Sequence, residues 1–148
     1  MANDKQNDRN RSSSSGPQEP EGSGLNILFM DDEASILEPF GKLLTMKGFT
    51  VITARDGNEA LILYRSAMEA GRPIDVAILD LTIPGGMGGI ETIEKIKAID
   101  PDVCALASSG LAHGIMAGYE TYGFAGAIAK PYQWRDLISA IDHALMRE

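Results

Sequence analysis

Short apolar runs alternate along this chain with stretches whose apolar residues recur every three or four positions. The runs are Ile27–Met30, Thr50–Ala54, Val76–Leu79, Val103–Ala107 and Gly126–Ala129. They lack a strict apolar–polar alternation, which predicts strands buried on both faces, hence a parallel sheet. Between them, Ile36, Phe40, Leu43 and Leu44 share one helical face, and Leu61, Tyr64 and Met68 a second. Ile90, Ile93 and Ile96 mark a third, and Leu137, Ile141, Ala144 and Leu145 the last. A further, weaker helix is expected from Ala112 to Tyr122, where Gly114 and Gly118 disfavour it.

Punctuation agrees with this parsing. Gly48 stands where the first helix should stop, Gly71 and Pro73 close the second, and Pro101 follows the third. Asp56 and Glu59 have the spacing of a capping box, with Asp in place of Ser or Thr. Five strands alternating with five helices make a (βα)5 chain, an α/β fold with helices on both faces of a parallel sheet. In such open sheets ligands bind beyond the carboxyl ends of the strands.

Composition narrows the picture. The 148 residues suffice for one domain, and 44% of them are apolar, enough for a packed core. Residues 1–24 stand apart: Ser12 to Ser15, two prolines and many polar residues, with almost nothing to bury. They are expected to form a flexible tail or linker, and residues 25–148 the domain. A net charge of −8 argues against binding nucleic acid or an anionic membrane surface. No apolar run is long enough to span a bilayer, and the polar N-terminus does not resemble a signal peptide, so a cytoplasmic setting is expected. The lone Cys104 sits in an apolar run and reads as a buried core residue.

The strand ends carry the candidate chemistry. Strand one ends in Asp31-Asp32-Glu33, strand three in Asp80, strand four in Ser108-Ser109-Gly110 and strand five in Lys130-Pro131. Taken singly, an Asp pair reads as a helix cap, Ser-Ser-Gly as a turn and Lys-Pro as a loop. Together and in order they bring three carboxylates, a hydroxyl and an ammonium to one edge. Clustered carboxylates resist full ionisation unless a cation neutralises them. Oxygen-only donors favour a hard ion such as magnesium, which keeps waters and shares a phosphate oxygen. A carboxylate beside such an ion can attack phosphorus to give an acyl phosphate, while the lysine and hydroxyl offset charge on the transferring group.

These residues carry a resemblance. Met30-Asp31-Asp32-Glu33, the stretch from Leu79-Asp80 through Thr82-Ile83-Pro84 to Gly89, Ser109-Gly110 and Ala129-Lys130-Pro131 resemble the receiver domains of two-component signalling. The match spans residues 25–148 and is most similar to receivers of hybrid sensor histidine kinases. It implies a flavodoxin-like strand order 2-1-3-4-5. It implies that Asp80 accepts phosphate from a histidine kinase or histidine phosphotransfer protein. It further implies magnesium held by Asp32, by Asp31 mainly through water, by Asp80 and by the backbone carbonyl of Thr82. Ser109 and Lys130 would face the phosphoryl group, and the Lys130–Pro131 peptide would be cis. Ser109 is preferred to Ser108 because the family's hydroxyl residue precedes Ala or Gly.

One departure stands out. The position three before the lysine, aromatic in most receivers, is Ala127. Tyr119, Tyr122, Phe124 and Tyr132 lie nearby and read as packing or surface. Leu111, two residues past Ser109, is expected to hinder the water that would remove the phosphate. His113 and His143 lack companions for a metal site. Two other functions compete: an interaction module that never takes phosphate, and a small-molecule phosphatase. The phosphatase would need a second Asp two residues past the nucleophile, where Thr82 stands. With no output domain after the last helix, output is expected through protein contact or phosphate relay.

Overall fold

The computed structural model of the protein describes residues 24–110 and 118–146. The expected tail, apart from Gly24, and the expected role of Leu111 therefore lie outside the described residues. Five strands, β1 Asn26–Met30, β2 Thr50–Ala54, β3 Val76–Asp80, β4 Ala105–Ser109 and β5 Gly126–Ala129, form one parallel sheet. Its order is β2-β1-β3-β4-β5, as expected. The described helices are α1 Ala34–Met46, α2 Gly57–Glu69, α3 Gly89–Ile99 and α4 Trp134–Met146. Most of the weak helix expected before β5 falls outside the described residues, and its described end is a 3-10 turn, Tyr119–Tyr122. That turn stops at Gly123, whose φ of 98° suits a residue without a Cβ.

The sheet divides two cores. Leu28, Met30, Leu79 and Ala105 point to one side, where Tyr64, Ile93 and Ile96 of α2 and α3 cover them. Ile27, Phe29, Ile78 and Leu106 point to the other, under Leu37 and Leu44 of α1 and Leu137 and Ile141 of α4. Burial on both faces explains the unbroken apolar runs, and each buried Leu, Ile, Phe or Met side chain among them contributes about 1.5–3 kcal/mol.

Two expectations need correction. The fourth strand is shifted by two residues: it takes in Ser108 and Ser109 and leaves Val103 and Cys104 before it. The ladder decides this, since Ala77 pairs with Ala105 and Asp80 with Ser108. On α2 the buried stripe is Ala60, Tyr64 and Ala67, and Met68 is 38% exposed. The spacing from Ala60 turns the face one residue away from Met68.

The cap of α2 forms with a variation. Asp56 accepts from the Glu59 N–H at 2.9 Å, but Glu59 accepts from the Arg55 N–H, one residue earlier than a capping box requires.

Candidate functional site

Register brings the acidic residues level. Met30 of β1 pairs with Leu79 of β3, so Asp31 and Asp80, the next residues on neighbouring strands, end at the same height. Asp31 continues the ladder by donating its N–H to the Ala54 carbonyl at 3.0 Å. Its side chain is fully buried, and Oδ1 accepts from the Glu33 N–H at 2.9 Å as the chain turns into α1. Asp80 is buried at the end of β3, with Oδ1 accepting from the Thr82 N–H at 3.1 Å. Asp32 is half-buried beside them. Carboxylate oxygens of Asp31, Asp32 and Asp80 lie within 4.8 Å of one another.

Lys130 closes the group from β5. Its Nζ lies 2.8 Å from Asp31 Oδ2 and 3.0 Å from Asp80 Oδ2. The backbone N–H of Lys130 donates to the Ser109 carbonyl at 3.0 Å, and the Lys130–Pro131 peptide is cis. Burial pushes the Asp80 carboxyl above its ordinary range, against the Thr82 amide and Lys130, which favour its charged form. Burial also opposes the charge on Lys130, yet the two carboxylates outweigh it and hold the ammonium's pKa above its usual value.

Ser109 ends β4 and is buried, in register with Ala129 just before Lys130. Thr82 is exposed and lines, with Asp32, Glu33, Asp80, Pro84, Gly110 and Lys130, a shallow cavity of about 250 Å³. A larger groove of about 610 Å³ between α1 and β2 contains none of these converging groups. All the residues singled out at the strand ends thus come to one edge.

Ala127 is half-buried in β5 and, with Tyr119, Ala140 and His143 among others, lines a groove of about 430 Å³. Phe124 is core, Tyr119 packs beside it, and Tyr122 is exposed. The Tyr132 ring packs edge-on against Phe40 at 5.0 Å, in line with the expected packing role. Its hydroxyl, however, meets that of Ser108 in a buried hydrogen bond that the sequence reading missed. The sequence offered no signal for it, because Ser108 lies past the apolar run and its burial follows only from the strand register; once buried, such a hydroxyl needs a partner.

A doubly wound sheet with a carboxylate cluster and a bridging lysine at its carboxyl edge defines a class of α/β proteins built to handle a small anion or a cation there. A profile of the response regulator receiver domain matches residues 27–142. The transcriptional regulatory protein PrrA of Mycobacterium tuberculosis is 33% identical over 123 residues, 82% of this chain and 50% of that protein. CpxR of Escherichia coli, also a transcriptional regulatory protein, is 31% identical over 122 residues, 82% of this chain and 49% of that protein. The chain spans about half the length of these curated relatives. Among solved structures, the CheX–CheY–BeF3–Mg complex of Borrelia burgdorferi aligns with a TM-score of 0.75 at 26% identity, covering 84% of this chain and 96% of that one. The receiver domain of the hybrid histidine kinase CckA aligns with a TM-score of 0.66 at 28% identity, covering 81% and 98%. The chain belongs to the response regulator receiver domain family, the receivers of two-component signalling.

Proposed function

We propose that this receiver takes a phosphoryl group on Asp80 from a phosphohistidine of a histidine kinase or histidine phosphotransfer protein, and that the change alters its protein contacts. One observation carries the reading: the Lys130 ammonium sits between the buried carboxylates of Asp31 and Asp80. In the transfer an Asp80 oxygen bonds to phosphorus as the P–N bond to the donor imidazole breaks, and the imidazole leaves with that electron pair. Lys130 offsets charge on the transferred group, and Ser109 offers it a hydroxyl.

The donor set fits a hard divalent cation. Every candidate ligand atom is oxygen, and Asp31 Oδ2, although in charge contact with Lys130, is buried without an aligned hydrogen bond. Magnesium would be held by Asp31, Asp32, Asp80 and the Thr82 carbonyl, and supplies positive charge opposite the phosphoryl oxygens when bound.

Residues 25–148 would form this unit and residues 1–24 a linker or tail. The likeness to the CckA receiver favours a phosphorelay role of the kind found beside hybrid kinases. Among the described residues no helix is long and apolar enough to cross a membrane, and the acidic charge favours protein partners in the cytoplasm over nucleic acid. On this reading the chain is no enzyme in its own right beyond assisting its own phosphorylation and hydrolysis.

The test is intact mass after incubation with magnesium and acetyl phosphate. One added phosphoryl group is expected on the parent, and none on Asp80→Asn or without magnesium. An adduct that survives in Asp80→Asn would overturn the assignment. A second reading, a receiver that only binds partners, is favoured by Ala127, and a parent that neither gains phosphate nor binds beryllofluoride would support it.

A further inference from the structure

Beneath the site lies a polar contact to which phosphate acceptance assigns no role. The hydroxyls of Ser108 and Tyr132 hydrogen-bond to each other, with Ser108 fully buried and Tyr132 buried. The Tyr132 ring lies among apolar neighbours: it packs edge-on against Phe40 of α1, and its centroid lies 6.3 Å from that of Phe29. Either hydroxyl alone would be a buried, unpaired polar group there.

The two residues flank the site in the chain. Ser108 is the register partner of Asp80, and its carbonyl accepts from the Leu81 N–H at 2.9 Å. Ser109 follows it directly. Tyr132 stands two residues after Lys130, whose N–H donates to the Ser109 carbonyl. The contact therefore closes a small ring: Ser108 to Ser109, across the backbone bond to Lys130, through Pro131 to Tyr132, and back to Ser108 by the hydroxyls. Every residue proposed to face the phosphoryl group from β4 and β5 belongs to that ring.

Lys130 needs such a brace. It leaves β5, a four-residue edge strand paired on one side only, and its flexible stem must hold an ammonium near two carboxylates at once. A turn tied only by the Lys130–Ser109 backbone bond could pivot about it. The Tyr132 hydroxyl supplies a second fixed point, and Phe40 backs the ring from α1.

We infer that Tyr132 and Ser108 are positioning residues whose hydrogen bond holds the Lys130 turn against the end of β4 and so sets the Lys130 ammonium between Asp31 and Asp80. The inference rests on the reading that Asp80 accepts phosphate, and it adds residues that touch neither phosphate nor metal.

Tyr132→Phe keeps the ring and removes the hydroxyl, and Ser108→Ala removes its partner. Two readouts apply to both and to the double variant: the rate of Asp80 phosphorylation by acetyl phosphate with magnesium, and the ¹H–¹⁵N signal of the Lys130 ammonium without phosphate. Each single variant is expected to slow phosphorylation roughly tenfold, as small misplacements of reacting groups do. The double variant should be no slower than either single one, because one bond is lost in all three. The Lys130 signal should shift or broaden in each. A hydroxyl pair with a purely structural role would lower thermal stability and leave both readouts at parent values, and that result overturns the inference. A parent that gains no phosphate refutes the functional reading instead. The Lys130 signal then decides positioning alone: altered in both variants it stands, unchanged it falls.

Discussion

Asp31 and Asp80 present two buried carboxylates to a single ammonium, with Asp32 half-buried alongside. Negative charge therefore exceeds positive at the site, and the fold bears that imbalance when no cation is present. Asp80→Asn is expected to be at least as stable as the parent in metal-free buffer, by up to about 1 kcal/mol, because it removes one buried like charge. Lys130→Met should do the opposite and cost roughly 3 kcal/mol, since it leaves both carboxylates without their counter-charge. Urea unfolding checks both, and opposite signs are required. Added magnesium should raise the parent midpoint more than that of Asp80→Asn, because a ligand of the folded state stabilises by mass action. At this scale much was legible. Asp31, Asp80, Ser109 and Lys130 announce themselves by standing in order at strand ends. The Ser108–Tyr132 bond does not, because it joins residues 24 apart whose types suit a turn and a core equally well.

At the scale of elements, the strands were read from their apolar runs and the helices from their spacing, and the bounds of Thr50–Ala54 and Gly126–Ala129 were met while those of the fourth strand escaped. Periodicity reports which residues are buried; hydrogen-bonded register decides where a strand stops. That is why β4 extends over two serines whose polarity suggested a turn. Asp80, by contrast, closes β3 where that strand was expected to end. Helix α1 holds a different surprise: Pro39 lies inside it and is exposed. A proline there offers no N–H to the carbonyl four residues back and crowds it. The remaining apolar face, Leu37 and Leu44 among the buried residues, carries the helix through. Pro39→Ala should therefore raise stability by roughly 1–3 kcal/mol, read from the urea midpoint at unchanged slope.

For the molecule as a whole, the two cores each bury a phenol. Tyr64, on the α2 and α3 side, donates its hydroxyl to Asp100 at 2.6 Å, and burial with that carboxylate pushes its pKa far up. Tyr132, on the α1 and α4 side, is pushed up by burial to about 12 from 10.0. Both phenols keep their protons in the folded chain at a pH where the unfolded chain has released them. The folded state then binds more protons, so stability is complete below pH 10 and falls as pH rises toward 12. Unfolding free energy measured across that window should decline, and decline less steeply in Tyr132→Phe. A flat profile in the parent would contradict the burial of these hydroxyls. The two-sided sheet behind this behaviour was legible from the uninterrupted apolar runs. The pairing of each phenol was not, since Asp100 and Ser108 meet their partners only through the tertiary fold.

On the proposed function, the cavity at the strand ends, about 250 Å³, would hold a phosphoryl group but not a protein that delivers it. Its carboxylates and lysine therefore cannot tell one donor from another. Fidelity among parallel signalling routes has to be written on the surface around the mouth of the cavity, in residues that never meet phosphorus. Rewiring this receiver to a new upstream source would mean redrawing that rim while leaving Asp31, Asp80 and Lys130 alone. Unwanted crosstalk would begin in the same place, with the chemistry intact.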